Sequence, residues 1–307
     1  MSTLTSTLDT NTQIQFQSAL DAQLQQTAAR LRPYTVSKPL GKDETYYDSI
    51  GTIEAIKYSG SHADIPDMEI QHYRRQWSWE SFIIALRVDG NDVERVVTDP
   101  TSSYIEECAK AVERQYDRLA VAAMFAAVNT GKAAGTSVSA ASDGVITVDA
   151  TSGITFEKLL EIEQNFINNN VTTDMDRRIA LGITGKEHTA LMKETELTSG
   201  DYSRKFVIDR GRIQSALGMD MVLYAGSYGS QTVALPMIPE ITSGTIRDSF
   251  CMAEGAICVG IVKEKQVQVF NQDAVKAAPG SKLIKVTFNM GATRKDGKMI
   301  QRVQYTV

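Results

Sequence analysis

One amphipathic pattern about thirty residues long constrains this chain more than any other feature. Asp99 stands at an N-cap position, with Pro100 at the first helical position. Ile105, Cys108, Ala109, Val112, Tyr116, Leu119, Ala120 and Ala123 then recur at the spacing of one helix face. Glu106, Glu107, Lys110, Glu113, Arg114, Asp117 and Arg118 fill the opposite face. Glu106 with Lys110 is an attractive i, i+4 pair, and Glu113 with Asp117 a repulsive one. From Leu119 to Val128 the run is apolar all round, so the second half of the helix is expected to be buried, with Asn129 and Gly131 closing it. At 1.5 Å per residue such a rod is about 45 Å long, well beyond an average helix. It would act as a backbone for the rest of the chain.

Around this rod the pattern is mixed. A helix is expected over Phe156–Asn168 after Thr155, with Leu159, Leu160, Ile162, Phe166 and Ile167 inward. A short helix is expected over Lys186–Lys193 after Thr184. Strands are expected at Val145–Val148, Arg178–Ile183, Met219–Tyr224, Val233–Met237, Ala256–Val262, Gln266–Phe270, Lys282–Phe288 and Ile300–Tyr305. Residues 196–212 read as a charged loop, and Ile213–Leu217 as a short helix or turn ended by Gly218. Asp296-Gly297 is a tight-turn signal. The fold class is α+β.

The first ninety residues are different in kind. Residues 1–44 read as an arm: a Thr/Ser/Gln-rich start, then a helical pattern through Ile14, Phe16, Leu20, Leu24, Ala28 and Leu31 that Pro33 ends. Two long extended segments follow. The first, Thr45–Tyr58, puts Tyr46, Ile50, Ile56 and Tyr58 on one face and Ile53 on the other. The second runs from Met68 to about Val88 through Tyr73, Trp77 and Trp79, with a helical alternative near Trp79. Gly60 and Pro66 punctuate the break between them. A two-stranded hairpin of this length is marginal in water, so its bulky residues need a partner. That partner is a sheet of the same chain or a neighbouring subunit, and pattern alone leaves both open. Trp77 and Trp79 would share a strand face suited to packing. Arg74 and Arg75 are either a solvated pair or contacts to acidic groups of a partner.

Chemistry is hard to find. The three Cys (108, 251, 258) and three His (62, 72, 188) lack any metal-binding spacing, so neither metal nor cofactor is expected. Gly182-Ile183-Thr184-Gly185-Lys186 has the wrong glycine spacing for a phosphate loop, and Glu187 follows it. His188 reads as a surface residue. A net charge of −5 disfavours a dedicated nucleic-acid reader. The ten-residue apolar run is half of what a membrane span requires. The N-terminus lacks a secretory signal pattern.

Several short motifs, in order, resemble a known family. Asp48-Ser49-Ile50-Gly51 leads into the extended segments, and Asp99-Pro100-Thr101-Ser102-Ser103-Tyr104 opens the long helix. Ala111, Arg114 and Asp117 continue that helix, and Arg210 to Val222 enters a glycine-turned strand. Ala234-Leu235-Pro236 and then Gly291-Ala292-Thr293-Arg294 complete the series. Over about residues 45–307 the chain resembles tailed-bacteriophage major capsid proteins of the HK97-like fold. The resemblance implies an N-terminal arm (1–44), an extended β-hairpin loop (45–90), a peripheral domain with a spine helix (91–150), an axial domain (151–275) and return strands to the peripheral domain (276–307). It implies a structural, non-enzymatic subunit that self-assembles as hexamers and pentamers into an icosahedral or prolate head shell around double-stranded DNA, which it touches weakly and non-specifically. Portal and scaffolding proteins would be partners, with a decoration protein as a further candidate and no membrane. The arm is too short for a built-in scaffold, so scaffolding would be a separate protein. The subunit would assemble in the bacterial host cytoplasm and reside in the virion. Expected inter-subunit contacts are Tyr46, Ile50, Ile56, Tyr58, Arg74, Arg75, Trp77 and Trp79. The rival readings are an encapsulin-like nanocompartment shell and a soluble α+β enzyme using carboxylates.

Overall fold

The computed structural model describes residues 27–39, 46–51, 53–57, 69–76, 79–88, 101–131, 135–171, 177–194, 197, 208–209, 212–224, 240–243, 246–271 and 282–306. The expected arm helix before residue 27, the Asp99-Pro100 cap, Tyr58, Trp77 and the strand Val233–Met237 lie outside the described residues.

The chain opens with a 3-10 turn at Arg32–Tyr34 and strand β1 (Val36–Pro39). A hairpin, β2 (Tyr46–Ile50) and β3 (His72–Gln76), precedes β4 (Trp79–Val88) and the long helix α1 (Thr101–Phe125). Then come β5 (Val128–Thr130), β6 (Thr136–Val138), β7 (Ile146–Ala150), α2 (Phe156–Asn168), β8 (Ile179–Thr184) and α3 (Gly185–Leu191). Short strands β9 (Ile208–Asp209), β10 (Arg212–Ile213) and β11 (Ser215–Ala216) lead to β12 (Met219–Tyr224) and β13 (Glu240–Ser243). The chain closes with β14 (Ile246–Ala253), β15 (Ile257–Asn271), β16 (Lys282–Arg294), a 3-10 turn and β17 (Ile300–Thr306).

These strands form two principal sheets, a further four-stranded sheet in the order β2-β3-β5-β6 and a two-stranded β9–β10 pair. The first has the order β1-β15-β16-β4. Ile284, Val286, Phe288 and Met290 of β16 alternate inward and are buried, on the sheet that α1 crosses. The helix answers with Cys108, Val112, Tyr116, Ala120, Ala123 and Met124. The second sheet has the order β11-β12-β8-β14-β17-β7, with β13 on β14. Its centre, β8, is buried at every position, which fits a continuous apolar run covered on both faces. One contiguous apolar cluster runs through both sheets.

Several sequence expectations are corrected. The long helix stops at Phe125, and Val128–Thr130 pairs as a strand with β3 and β6. Arg294 donates to the carbonyls of Met124, in the last turn of α1, and Ala126, just past its end, where the helix has no further N–H to offer them. Burial is not all round either, since Ala122, Ala126 and Ala127 are exposed. In α2, Leu159, Ile162 and Phe166 point inward, but Leu160 and Ile167 flank that stripe and stand exposed. Ile213–Leu217 is neither helix nor simple turn. Ala216 pairs with Met219 across Leu217 and Gly218, both at positive φ, which makes a two-residue hairpin. The two C-terminal strand expectations 256–262 and 266–270 are one strand, β15, with register shifts between Ile261 and Gln266. The second extended segment is not one element: residues 72–76 pair with β2, and 79–88 form the edge of the α1 sheet. The last strand, β17, lies in the seven-stranded sheet between β14 and β7.

Candidate assembly surface

Registry decides what the hairpin presents. Tyr46 pairs with Gln76, Asp48 with Arg74 and Ile50 with His72, so these six share one face. Tyr47, Ser49, Tyr73 and Arg75 occupy the other. Arg74 and Arg75, adjacent in sequence, therefore point to opposite sides of the ribbon.

The two arginines have different partners in their own chain. Arg74 forks onto Asp48 at 2.6 and 2.9 Å and lies 5.2 Å from the Tyr46 ring. Its hydrogen bonds hold the exposed Asp48 carboxyl below the usual carboxylate value. Arg75 instead reaches the body of the subunit and grips Asp143 at 2.7 and 2.8 Å. Arg294 donates to the same carboxylate at 2.7 Å. Burial alone would raise the Asp143 carboxyl, but the hydrogen bonds from Arg75 and Arg294 outweigh it and hold the group below its ordinary value.

Beyond this root the hairpin carries large apolar side chains in the open. Ile50, Ile53, Ile56, Ile70 and Tyr73 are 68, 55, 58, 46 and 50% exposed. Trp79, by contrast, stands opposite Gly291 on β4 and is 39% exposed, on the sheet face that also carries the 61% exposed Ile83. The sequence-expected set is thus divided. Tyr46, Ile50 and Ile56 ride on the hairpin or the chain leading from it, Arg74 braces the hairpin, Arg75 anchors it, and Trp79 belongs to the sheet.

A second feature lies along α1. The backbone N–H groups of Arg30 and Leu31 donate to Asp117 at 2.9 and 3.1 Å. Arg32 pairs with Glu113 at 3.0 Å. The Tyr116 hydroxyl meets those of Thr35 and Ser37 at 2.7 Å each. Tyr34 donates to Asp220 at 2.8 Å beside Arg178. Burial and that carboxylate raise its hydroxyl pKa to about 12. The sequence places Asp117 on the charged face of the helix, opposite its apolar stripe, and gives Asp143 no role. A lone charge in a charged stripe, or in a Ser/Gly-rich turn, carries no local sign of a distant partner.

The remaining chemistry-bearing residues are structural. His188 is half-buried and accepts from the Ile213 N–H through Nε2, which corrects its reading as a surface histidine. Burial pushes the thiols of Cys108, Cys251 and Cys258 upward, away from thiolate reactivity. The phosphate-loop look-alike is a strand-to-helix turn: the Thr184 and Glu187 side chains form a capping box. A Cβ at Gly182 would sit 2.7 Å from the Phe250 ring. Among the described residues, no three His, Cys, Asp or Glu side chains converge as a metal site. No described helix is long and apolar enough to cross a membrane.

Solved structures share this architecture. The capsid of cyanophage P-SCSP1u aligns at a TM-score of 0.67 and 9% identity, over 95% of this chain and 92% of its own. The mature capsid of bacteriophage PhiM1 gives 0.65 at 10% identity, over 95% and 91%. The capsid of Helicobacter pylori bacteriophage KHP30 gives 0.65 at 8% identity, over 94% of each. At these identities the likeness is one of fold. No curated protein sequence matches the chain. Residues 8–307, by contrast, match the family described as phage capsid protein, so this chain, with its long helix and two principal sheets, belongs to that family and carries its HK97-like capsid fold.

Proposed function

We propose that this chain is the major capsid protein of a tailed phage, and that its copies close the head shell by laying the β2–β3 hairpin on a neighbour. The observation that carries this reading is the set of exposed apolar side chains on and beside the hairpin: Ile50, Ile53, Ile56, Ile70 and Tyr73. A soluble monomer rarely keeps such a patch uncovered. Repetition by closed symmetry turns one modest contact into a shell. Tyr46, Ile50, Ile56, Tyr58, Arg74, Trp77 and Trp79 are the proposed contacts, while Arg75 acts within its own chain. The α1 sheet corresponds to the peripheral domain and the seven-stranded sheet to the axial domain. Hexamers and pentamers, a portal, a separate scaffold, a decoration protein and weakly held double-stranded DNA complete the assembly. The subunit has a structural rather than a catalytic role. Assembly takes place in the bacterial host cytoplasm.

The test is to express the full chain with its scaffold and view the product by negative-stain microscopy. Closed particles of megadalton mass are expected. A species of tens to hundreds of kilodaltons would sink the reading. Particles that carry a cargo enzyme in place of nucleic acid and portal would replace it with a nanocompartment shell.

A further inference from the structure

The hairpin leaves the subunit body at one place, and a buried ionic cluster sits there. Arg75 on β3 forks onto Asp143, which belongs to the turn before β7. Arg294, at the end of β16, donates through Nε to the same carboxylate and through Nη1 to the Met124 and Ala126 carbonyls at 2.8 and 2.9 Å. Four segments therefore meet: hairpin, turn, sheet and the C-terminal end of α1. The Arg294 side chain is wholly buried, and those of Asp143 and Arg75 are 10 and 12% exposed. One carboxylate faces two guanidinium groups, and the carbonyls at the end of α1 supply further negative potential. The Asp143 backbone is itself wedged, since a Cβ at Gly297 would lie 2.3 Å from its carbonyl oxygen. Asp143 is thus a fixed point of the body.

The other ties at the root are thinner. Arg75 pairs with Thr130, and the Gly131 N–H donates to the Arg74 carbonyl at 3.1 Å. Thr293 reaches the Gln76 carbonyl at 3.4 Å, and Lys295 lies 5.7 Å from the Tyr47 ring. The hairpin belongs to a four-stranded sheet, β2-β3-β5-β6, but the seam between β3 and β5 is the single register pair Arg75–Thr130, about which the outer strands can twist. A bidentate guanidinium–carboxylate pair fixes a plane as well as a distance. Arg74 offers a built-in contrast. Its partner, Asp48, rides on the hairpin, so that pair moves with the ribbon and holds it to nothing.

We propose that Asp143 is a positioning residue for assembly: by gripping Arg75 from the body of the subunit it sets the direction in which the hairpin leaves, and hence the angle at which neighbouring copies meet. This rests on the reading of the hairpin as an assembly contact. The shell's curvature is then encoded partly at the hinge, away from the surface where subunits touch.

The test uses three full-length variants: Arg75→Gln, Arg75→Lys and Arg74→Gln. Arg75→Gln leaves the Asp143–Arg294 pair in place. Hydrogen exchange on the unassembled chain should speed up about tenfold in peptides spanning residues 72–76 and the Gly131 amide, with α2 peptides unchanged. Arg75→Lys keeps the charge without the fork and should fall between Arg75→Gln and wild type. Arg74→Gln, which removes an exposed pair, should match wild type at the Gly131 amide. By microscopy, Arg75→Gln should give open or irregular shells where wild type gives uniform ones. Unchanged exchange in Arg75→Gln overturns the clamp. A loosened hairpin with uniform shells overturns its role in positioning. In that case an Ile50→Ser/Ile56→Ser variant shows what survives: if it fails to assemble, the contact reading stands, and if it assembles, that reading falls too.

Discussion

Asp117 lies in a helix stripe that the sequence fills with charge, yet its side chain is buried and accepts two backbone N–H groups from Arg30 and Leu31. An N–H buried without a partner costs about 1–3 kcal/mol. Asp117→Ala should therefore destabilise the subunit by about 2–3 kcal/mol, read as a lower denaturant midpoint. Asp117→Asn keeps one acceptor and should lose less. Equal midpoints for Asp117→Ala and wild type would show that water replaces the carboxylate at no cost. The helical period that made α1 legible is blind to this residue, because 3.6-residue spacing reports which face a side chain occupies and not what lies against it. Arg294 teaches the same lesson: it ends a strand at the surface of the pattern and is wholly buried in the fold.

At the scale of elements, periodicity served long segments better than short ones. The bounds expected for α2 are those observed, Phe156–Asn168, and β8, β12 and β17 lie where apolar runs placed them. β14 was missed because Arg247 and Asp248 interrupt its apolar pattern. Asp248 is buried there beside Arg302 and accepts from Gln304, a pairing that only the tertiary fold creates. The hairpin was legible as extended chain, but its division at residues 77–78 was not, because one strand type serves two sheets. Its exposed side chains make a separable prediction. Ile50→Ser/Ile56→Ser removes apolar surface that touches water in the free subunit. Its melting temperature should stay close to wild type, since surface changes of this kind are usually worth within about 0.5 kcal/mol, while particle yield collapses. A large fall in melting temperature with normal particles would place these residues in the subunit's own core.

At the scale of the whole molecule, residues 27–39 add a second tie between two sheets that already share one apolar cluster. β1 runs parallel to β15 in the α1 sheet. Tyr34, a few residues earlier, bonds Asp220 of β12 in the other sheet. Leu31 and Tyr34 are both buried. The segment acts as a strap across the subunit. Deleting residues 1–26 removes none of these contacts, whereas deleting 1–39 removes all of them. Burial of Leu31 and Tyr34 alone is worth about 4 kcal/mol, so the longer deletion should melt roughly 10 °C lower than the shorter one. Alkali offers an independent check on the same strap. The Tyr34 hydroxyl, raised to about 12 in the fold, stabilises fully below its ordinary value near 10 and loses that contribution as pH rises through about 12. Tyr34→Phe should remove this part of the alkaline loss, and the 1–39 deletion should lack it as well. If both deletions melt together and Tyr34→Phe keeps the full alkaline loss, the segment lies along the subunit without holding it.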